Sequence, residues 1–384
     1  MQVFNRIYLI AACVIISSIV TTSFSQYNTS PDSDKSTENS SSEIGNYKPF
    51  TFGINYYYGF GVPHAGTQVE VRETNPKGYE LNFSWLLYTS EVWDDCHCYP
   101  RIGFLLSYLD FDLNETFGSG YVGAIYFMYF FGLPSTFNFI LQGKAGISYL
   151  SNPWDINNNP ENMAYSTNIN YWLSAGVGFR IAMNRYLETQ ILLNMNHNSN
   201  AAFTEPNGGI NYPGLTIGMA YTFDPIEIKA RNQPDPYLIS EKKKRWDIGL
   251  FWGISAMPYP DLVQVPMYGI NVVRSWQVVR VGAITAGVEL EMNGRTRLEV
   301  HRDSVEDVSP WRGSIQAGWE FLMGKTIISF QLGRYFVRSD RDKAAVYHRY
   351  GLVYRVLKHF YAGVGFKAHG LNADHLDLRF TYSF

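Results

Sequence analysis

Apolar and polar side chains alternate with a period of two along most of the chain beyond residue 48. The segment 247–254 reads Asp-Ile-Gly-Leu-Phe-Trp-Gly-Ile, and the segment 376–384 reads Leu-Asp-Leu-Arg-Phe-Thr-Tyr-Ser-Phe. Because side chains of a strand point to opposite faces in turn, this pattern predicts strands with one apolar and one polar face. Turn residues divide the pattern into 16 predicted strands, near 50–58, 78–88, 100–112, 120–131, 135–149, 165–182, 185–198, 211–223, 244–256, 266–279, 281–293, 311–322, 325–337, 347–356, 359–369 and 373–384.

The predicted connections alternate between short and long. Short turns fall at 132–134, 183–184, 323–324 and 357–358, and longer connections fall at 59–77, 150–164, 294–310 and 338–346. Bacterial membrane barrels have short periplasmic turns and longer outer loops. With the N-terminus in the periplasm, odd-numbered strands run outward. The seventh predicted strand therefore ends at the outer rim of a barrel.

Composition supports a membrane barrel. Aromatic residues make up 16% of the chain and charged residues only 17%, whereas soluble domains carry about 25% charged residues. After the first 25 residues there is no apolar run of the ~18 residues that indicate a transmembrane helix. The formal net charge of −3 gives no electrostatic support for nucleic-acid binding. The expected fold class is an all-β, transmembrane antiparallel β-barrel.

The domain organisation follows from polar stretches in the chain. Residues 1–25 resemble a secretory signal peptide, and residues 26–48 read as a disordered lead-in. A polar, proline-containing stretch at 224–244 reads as a periplasmic linker between two barrel halves, 49–223 and 245–384. One barrel of about 14–16 strands is preferred, because it needs only one closure and leaves no edge in lipid. Two eight-stranded barrels in series are the alternative.

Other residues indicate how the chain meets the membrane. Phe384 ends the last predicted strand, as in the terminal signal that the bacterial barrel-assembly machinery recognises, so this machinery is an expected partner. Arg185 and Lys325 begin strands at predicted periplasmic turns. We expect both cations to anchor at lipid head groups, and the outer-membrane lipids to be the surroundings of the barrel.

Two small clusters are candidates for metal binding. Cys96 and Cys98 form either a metal or redox site, or a turn with a tight disulfide or two incidental thiols. Zinc sites usually have wider, paired spacings, so no metal site is predicted there. His369 and His375 flank a short connection, where they either bind a metal or lipid phosphate or form part of a polar rim; the rim is preferred.

The residues that carry chemistry follow the seventh strand. His197 and Ser199 share a strand face with an apolar stripe, because they continue the alternation of Ile191, Leu193 and Met195. Asn211 precedes the next strand in phase with its apolar face. A histidine, a serine and an amide therefore project toward lipid, and a lipid ester is the natural substrate of such a constellation.

Ester hydrolysis needs a nucleophile, a base and an oxyanion site. We assign Ser199 as nucleophile, His197 as base and Asn211 as the group that orients the imidazole, as an asparagine does in Cys-His-Asn proteases. The candidate oxyanion donors are Asn207, Asn200 and the backbone N–H groups of the turn from Asn200 to Ala202. The pair Gly208-Gly209 permits unusual backbone angles in the loop that returns to Asn211.

This motif resembles that of the outer-membrane lipid A 3-O-deacylases, in which His-x-Ser-Asn, Pro-Asn-x-Gly and an acidic residue follow one another. The chain has His197-Asn198-Ser199-Asn200, then Pro206-Asn207-Gly208-Gly209, then Asn211. The resemblance implies catalytic roles for His197 and Ser199, an oxyanion role for Asn207, and lipid A of lipopolysaccharide as substrate. It covers about residues 50–223, because the family enzyme is a compact eight-stranded barrel. The full length is similar to the larger deacylase-like or acyloxyacyl-hydrolase-like proteins of Bacteroidetes-type bacteria.

One position departs from the family pattern. Asn211 stands where the family has an acid, and an amide orients an imidazole without neutralising its positive charge. Three outcomes follow: a Ser-His-Asn enzyme, an enzyme in which Glu205 supplies the charge, or a barrel without activity. The expected function is a cofactor-free outer-membrane esterase that removes an acyl chain from lipid A. The alternatives are a non-catalytic pore or transporter, and an adhesive surface barrel.

Overall fold

A computed structural model describes residues 46–63, 69–229, 243–257, 263–302, 309–338, 344–370 and 372–384. The predicted signal peptide lies outside the described residues, as do most of the predicted lead-in and linker. Where the structure describes the chain, strands predominate and helices are short. In those same ranges, no helix combines the length and the apolar character needed to cross a membrane.

The first eight strands form a closed antiparallel barrel. The last strand pairs back with the first, from Thr51 opposite Thr222 to Gly59 opposite Gly214. A short helix α1 (Val69–Glu73) lies between β1 and β2, and α2 (Ser90–Cys96) lies between β2 and β3. The strands are β1 (Phe50–Gly59), β2 (Lys77–Leu86), β3 (Arg101–Asp110), β4 (Ser119–Phe131), β5 (Phe137–Leu150), β6 (Ile169–Ala182), β7 (Leu187–Ser199) and β8 (Ile210–Thr222).

The other eight strands form a second closed antiparallel barrel. It closes between its first and last strands, from Leu376 opposite Ile254 to Ser383 opposite Asp247. Helix α3 (Gly294–Arg302) follows the third strand of this barrel. The strands are β9 (Lys244–Ala256), β10 (Gln264–Val279), β11 (Gly282–Asn293), β12 (Trp311–Met323), β13 (Thr326–Val337), β14 (Val346–Arg355), β15 (Phe360–His369) and β16 (Asn372–Ser383).

The structure confirms the all-β barrel class and the alternative of two eight-stranded barrels. The preferred single barrel of 14–16 strands is wrong, because β8 pairs with β1 and β16 pairs with β9. The physical reason is that eight tilted strands already close around a lumen that side chains fill. Each half of the chain therefore satisfies its own strand edges without the other.

The exterior of both barrels is apolar and the lumens are polar. Leu193 and Phe380 are among many exposed apolar side chains on the outer faces. Inside the first barrel, Lys144 Nζ donates to Glu80 Oε2 at 2.7 Å, and Asn55 donates to Glu80 Oε1 at 2.7 Å. Apolar side chains outside and polar side chains inside are the pattern of a membrane barrel.

Ion pairs lie in both lumens, in the first barrel beside a cluster of buried apolar side chains. In the first barrel, Glu188 lies between Arg101 and Arg180, with Arg180 Nε 2.6 Å from Glu188 Oε2. In the second, Arg349 is 2.9 Å from Glu289 Oε1. Lys367 Nζ lies 3.0 Å from the same carboxylate oxygen. Because an isolated buried charge is costly, these side chains are held as paired groups.

Candidate functional site

Strand register places the predicted catalytic side chains together. His197 on β7 is directly opposite Asn211 on β8. His197 Nδ1 is 2.7 Å from Asn211 Oδ1, and His197 Nε2 is 2.9 Å from Ser199 Oγ. With the amide oxygen accepting from Nδ1–H, Nε2 is the nitrogen that accepts from the serine hydroxyl. The three side chains form a continuous hydrogen-bonded chain with the polarity that general-base catalysis needs.

The site lies at the upper edge of the apolar outer face. Ser199 is 6% exposed and Asn211 is 8% exposed. Met195, four residues before Ser199 on the same strand face, is 45% exposed. The predicted nucleophile is therefore largely screened from water at the point where the lipid-facing surface begins.

Side chains on the lumen side of β7 and β8 hold these two strands together. Asn198, between His197 and Ser199, points inward and donates to the Tyr212 hydroxyl at 2.8 Å. Trp172 Nε1 donates to the same hydroxyl at 2.7 Å. Ser148 Oγ donates to Asn198 Oδ1 at 2.6 Å. Strands β5 to β8 are thus joined just inside the site, so little conformational freedom is left to the side chains outside.

The turn after Ser199 has an unusual backbone. Ala201 and Ala202 have φ angles of 55° and 63°, in the left-handed region that costs an L-residue about 1–2 kcal/mol. This conformation brings the Ala201 N–H to 3.4 Å from Ser199 Oγ. The Asn200 N–H donates to Asn207 Oδ1 at 2.9 Å. Of the backbone donors in the predicted oxyanion turn, Ala201 is the one that the structure places against Ser199.

Asn200 and Asn207 have separate positions in the loop. The Asn200 side-chain oxygen accepts from the Phe203 N–H at 3.1 Å, and its nitrogen donates to the Thr204 carbonyl at 2.9 Å. The Asn200 side chain is therefore engaged in folding the turn. Asn207 uses its amide oxygen on the Asn200 N–H, so its amide nitrogen is the end that suits an oxyanion.

Gly209 leaves the space that the His197 ring occupies. Its φ is +71°, and a Cβ at this position would lie 2.8 Å from His197 Cε1. The Gly209 N–H donates to the Ala164 carbonyl at 2.7 Å, which ties the loop to the β5–β6 connection. The sequence indicated only that Gly208-Gly209 permits unusual angles. The structure adds that a side chain at Gly209 would displace the ring.

Glu205, the alternative acid, forms a hydrogen bond within its own loop. Its Oε2 accepts from the Asn207 N–H at 3.0 Å, while Asn211 occupies the Nδ1 side of His197. Burial raises the pKa of Glu205, and the charge of Arg295 and the Asn207 hydrogen bond oppose that rise. The structure therefore brings Asn211, and not Glu205, to the imidazole.

The two other candidate clusters have different environments. Cys96 and Cys98 form a disulfide after α2, so the tight-disulfide interpretation is confirmed and a thiolate metal site is not formed there. His375 is fully buried in the second lumen, with its Nδ1 3.3 Å from Asp374 Oδ2, so its predicted place in a rim is wrong.

His375 faces inward because it alternates with outward Leu376. Glu291, Asp374 and His375 lie close enough to hold an ion. However, Lys367 is 2.8 Å from Glu291, so a cation of the protein already neutralises this carboxylate.

Comparison with known proteins agrees with the geometry. Residues 45–220 match the family model described as "Lipid A 3-O-deacylase (PagL)". Residues 244–384 match the model described as "Acyloxyacyl hydrolase, C-terminal domain". Among curated proteins, none matches the chain.

Solved structures include several barrels with low similarity. The outer membrane enzyme PagL is 15% identical, with a TM-score of 0.33 over 43% of this chain and 97% of that one. A mutant porin of Rh. blastica is 9% identical, with a TM-score of 0.18 over 87% and 99% of the two chains. A mutant ferric enterobactin receptor of Pseudomonas aeruginosa is 10% identical, with a TM-score of 0.21 over 85% and 45%. At these values, no conclusion rests on the structural likeness.

The two family models follow one another along the chain and leave only its start and the predicted linker unmatched. With two closed barrels whose exteriors are apolar, they confirm the expected outer-membrane location and the hydrolase class. Residues 45–220 thus match the lipid A 3-O-deacylase (PagL) family, and residues 244–384 match the acyloxyacyl hydrolase C-terminal domain.

Proposed function

We propose that the protein is a serine esterase that removes an ester-linked acyl chain from lipid A, with Ser199 as nucleophile. The observation that carries the proposal is the hydrogen-bonded chain from Ser199 through His197 to Asn211 on the lipid-facing side of the barrel. A serine with its base on the outer face reaches an ester that lies in the membrane. The same pair inside the lumen would not.

The acyl chain of the substrate would lie along the exterior below the site. Tyr171 and Leu173 are paired with Ser199 and His197 across β6 and β7, and both are exposed apolar side chains. Met195 continues this surface downward. Acyl methylene groups that pack against this surface are removed from water, while the polar head of lipid A stays at the rim.

The chemical steps follow from the geometry. Ser199 Oγ attacks the ester carbonyl while His197 Nε2 takes the hydroxyl proton. The Ala201 N–H and the Asn207 amide nitrogen donate to the oxyanion. The tetrahedral intermediate then releases the alcohol oxygen of the ester, which receives the proton from His197. Water, deprotonated by the same nitrogen, hydrolyses the acyl-serine and frees the fatty acid.

Asn211 orients the imidazole but, as a neutral amide, does not itself neutralise the transient positive charge of the ring. Its oxygen accepts from Nδ1–H and so selects the productive tautomer. Asn211 itself therefore gives none of the electrostatic assistance that a carboxylate at this position would give. The proposed enzyme therefore works, but below the rate that the same geometry would reach with a carboxylate.

The direct test is mass spectrometry of lipid A from cells that produce the wild type or Ser199→Ala. We expect loss of one acyl chain with the wild type alone, and the mass lost identifies which ester is cleaved. Ser135→Ala is the matched control, because Ser135 lies on an exposed turn at the other end of the barrel. Unchanged lipid A with a folded wild-type barrel would refute the proposal.

The lumens bear on the alternative of a pore. The charged network around Arg349 and Lys367 crosses the second barrel, and the Glu80–Lys144 pair lies in the first. A barrel of eight strands has an interior that side chains fill, whereas porins of 16–18 strands keep a water-filled channel. The described interior therefore favours the esterase over the pore.

A further inference from the structure

The second barrel forms hydrogen bonds with the turn that follows Ser199 in the first barrel. Ala256, at the end of β9, donates its N–H to the Ala202 carbonyl at 2.6 Å. Gln264, at the start of β10, donates its side-chain N–H to the Phe203 carbonyl at 3.2 Å. Ala256 is 1% exposed and Ala202 is 2% exposed, so the first bond is shielded from water.

The peptide that accepts the Ala256 hydrogen bond is next to the proposed oxyanion donor, the Ala201 N–H. The Ala202–Phe203 peptide is held at its N–H by the Asn200 carbonyl, 3.2 Å away, and at its C=O by Ala256. Two consecutive alanines in the left-handed region precede it. Strained backbone of this kind persists only where the surroundings determine it from several sides. The first barrel supplies one side, and the second barrel supplies the other.

We propose that Ala256 of the second barrel is a positioning residue for the esterase site, and that the second barrel keeps the Ala201 N–H aimed at the oxyanion. The inference rests on the proposed function. Without the Ala256 bond, the Ala202 carbonyl can rotate and the two alanines can relax toward ordinary angles. That relaxation turns the Ala201 N–H away from the substrate carbonyl while Ser199, His197 and the lipid-binding exterior stay in place.

The test removes one N–H. Ala256→Pro deletes a donor that bonds the Ala202 carbonyl and not a neighbouring strand, and the extended Ser255 before it suits proline. Ala256→Gly keeps the N–H and is the matched rescue variant. Arg280→Gln is the second control, because Arg280 donates to the Asp94 carbonyl and joins the barrels at the opposite end of the strands.

Fatty-acid release from lipopolysaccharide in mixed micelles gives kcat and KM for each variant. Removal of a whole oxyanion donor lowers kcat by about 10²–10³-fold, so a displaced one should cost about 10–100-fold. We expect this fall for Ala256→Pro with KM within about threefold, and wild-type values for Ala256→Gly and Arg280→Gln. Equal kcat for Ala256→Pro and Ala256→Gly, with an active wild type, would overturn the inference.

Two further measurements keep the outcome decisive. Amide hydrogen exchange of residues 200–204 needs no substrate, and it should be faster in Ala256→Pro than in Ala256→Gly. Equal exchange in the two variants overturns the inference, whether or not the wild type is active. A wild type that releases no fatty acid counts against the proposed function and leaves the exchange test valid. If Ala256→Pro does not fold, Gln264→Leu removes the second bond without altering the backbone, and it should lower kcat by a smaller factor than expected for Ala256→Pro.

Discussion

Replacing Asn211 by aspartate tests how much of the catalytic relay is electrostatic. Asn211 Oδ1 is 2.7 Å from His197 Nδ1, so Asn211→Asp puts a carboxylate oxygen where the amide oxygen now accepts. The side chains have the same shape, and Asn211 is largely buried. The change therefore adds a charge next to the imidazolium that forms in the transition state, without moving the ring.

The size of the gain follows from two opposing terms. Two unit charges about 4 Å apart attract by about 4 kcal/mol at an effective dielectric constant of about 20. The carboxylate loses hydration in this buried position, which removes part of the attraction. A net gain of about 1.4–2.8 kcal/mol corresponds to a rise in kcat of about 10–100-fold.

Fatty-acid release from lipopolysaccharide in mixed micelles measures this gain. Asn211→Ala is the matched control, and its kcat should fall below the wild-type value because the oxygen that accepts from Nδ1–H of His197 is lost. A folded Asn211→Asp variant with kcat at or below the wild-type value would refute the reasoning. It would mean that the relay does not pass through residue 211.

Three further predictions concern the loop, the lumen and the periplasmic side. Gly209→Ala should lower kcat at least 100-fold in a folded barrel, because the new methyl group would lie 2.8 Å from His197 Cε1; lipid A mass spectrometry measures the loss. Glu188→Gln should reduce the free energy of unfolding by about 3–5 kcal/mol, since two guanidinium groups lose their counterion; urea unfolding in lipid vesicles measures it. Burial, assisted by a nearby arginine, lowers the pKa of His97 from 6.5 to about 4. The folded state binds this proton more weakly than the unfolded state. The contribution of His97 to the free energy of unfolding is therefore fully present above about pH 6.5 and is lost as the pH falls toward 4. His97→Asn, which tolerates the left-handed φ of 50°, should flatten this dependence in thermal unfolding at pH 7.5 and 5.

The strands could be predicted because the membrane imposes alternation on every one of them. The predicted strand at 165–182, for example, begins four residues before β6 (Ile169–Ala182) and ends with it. Closure could not be predicted from the same pattern. Whether β8 pairs with β1 or with β9 depends on hydrogen bonds between distant segments, and alternation is the same in both cases. The polar stretch at 224–244 was the one local sign of two barrels.

The site was predictable as far as strand phase and register reach. Phase alone places His197, Ser199 and Asn211 on one face, and the structure brings these side chains into hydrogen-bonding distance. Loop geometry was not predictable, because Asn200 and Ala202 carry no sign of where their groups point. The bond from Ala256 was hidden as well, since it comes from another barrel more than 50 residues further along the chain.

The two faces of the first barrel separate stability from chemistry. Its charged lumen groups, such as Glu188, are paired with one another and do not contact the His197–Ser199 pair in the described residues. The proposed catalytic groups lie on its outer face, where the hydrogen bond between His197 and Asn211 joins β7 to β8. Changes at Glu188 should therefore lower unfolding temperature without altering KM. Changes at Ser199 should abolish turnover in a barrel of unchanged stability. A pore would show the opposite, because its lumen residues set its function. If these measurements come out as expected, they support the proposal that the substrate reaches Ser199 from the membrane.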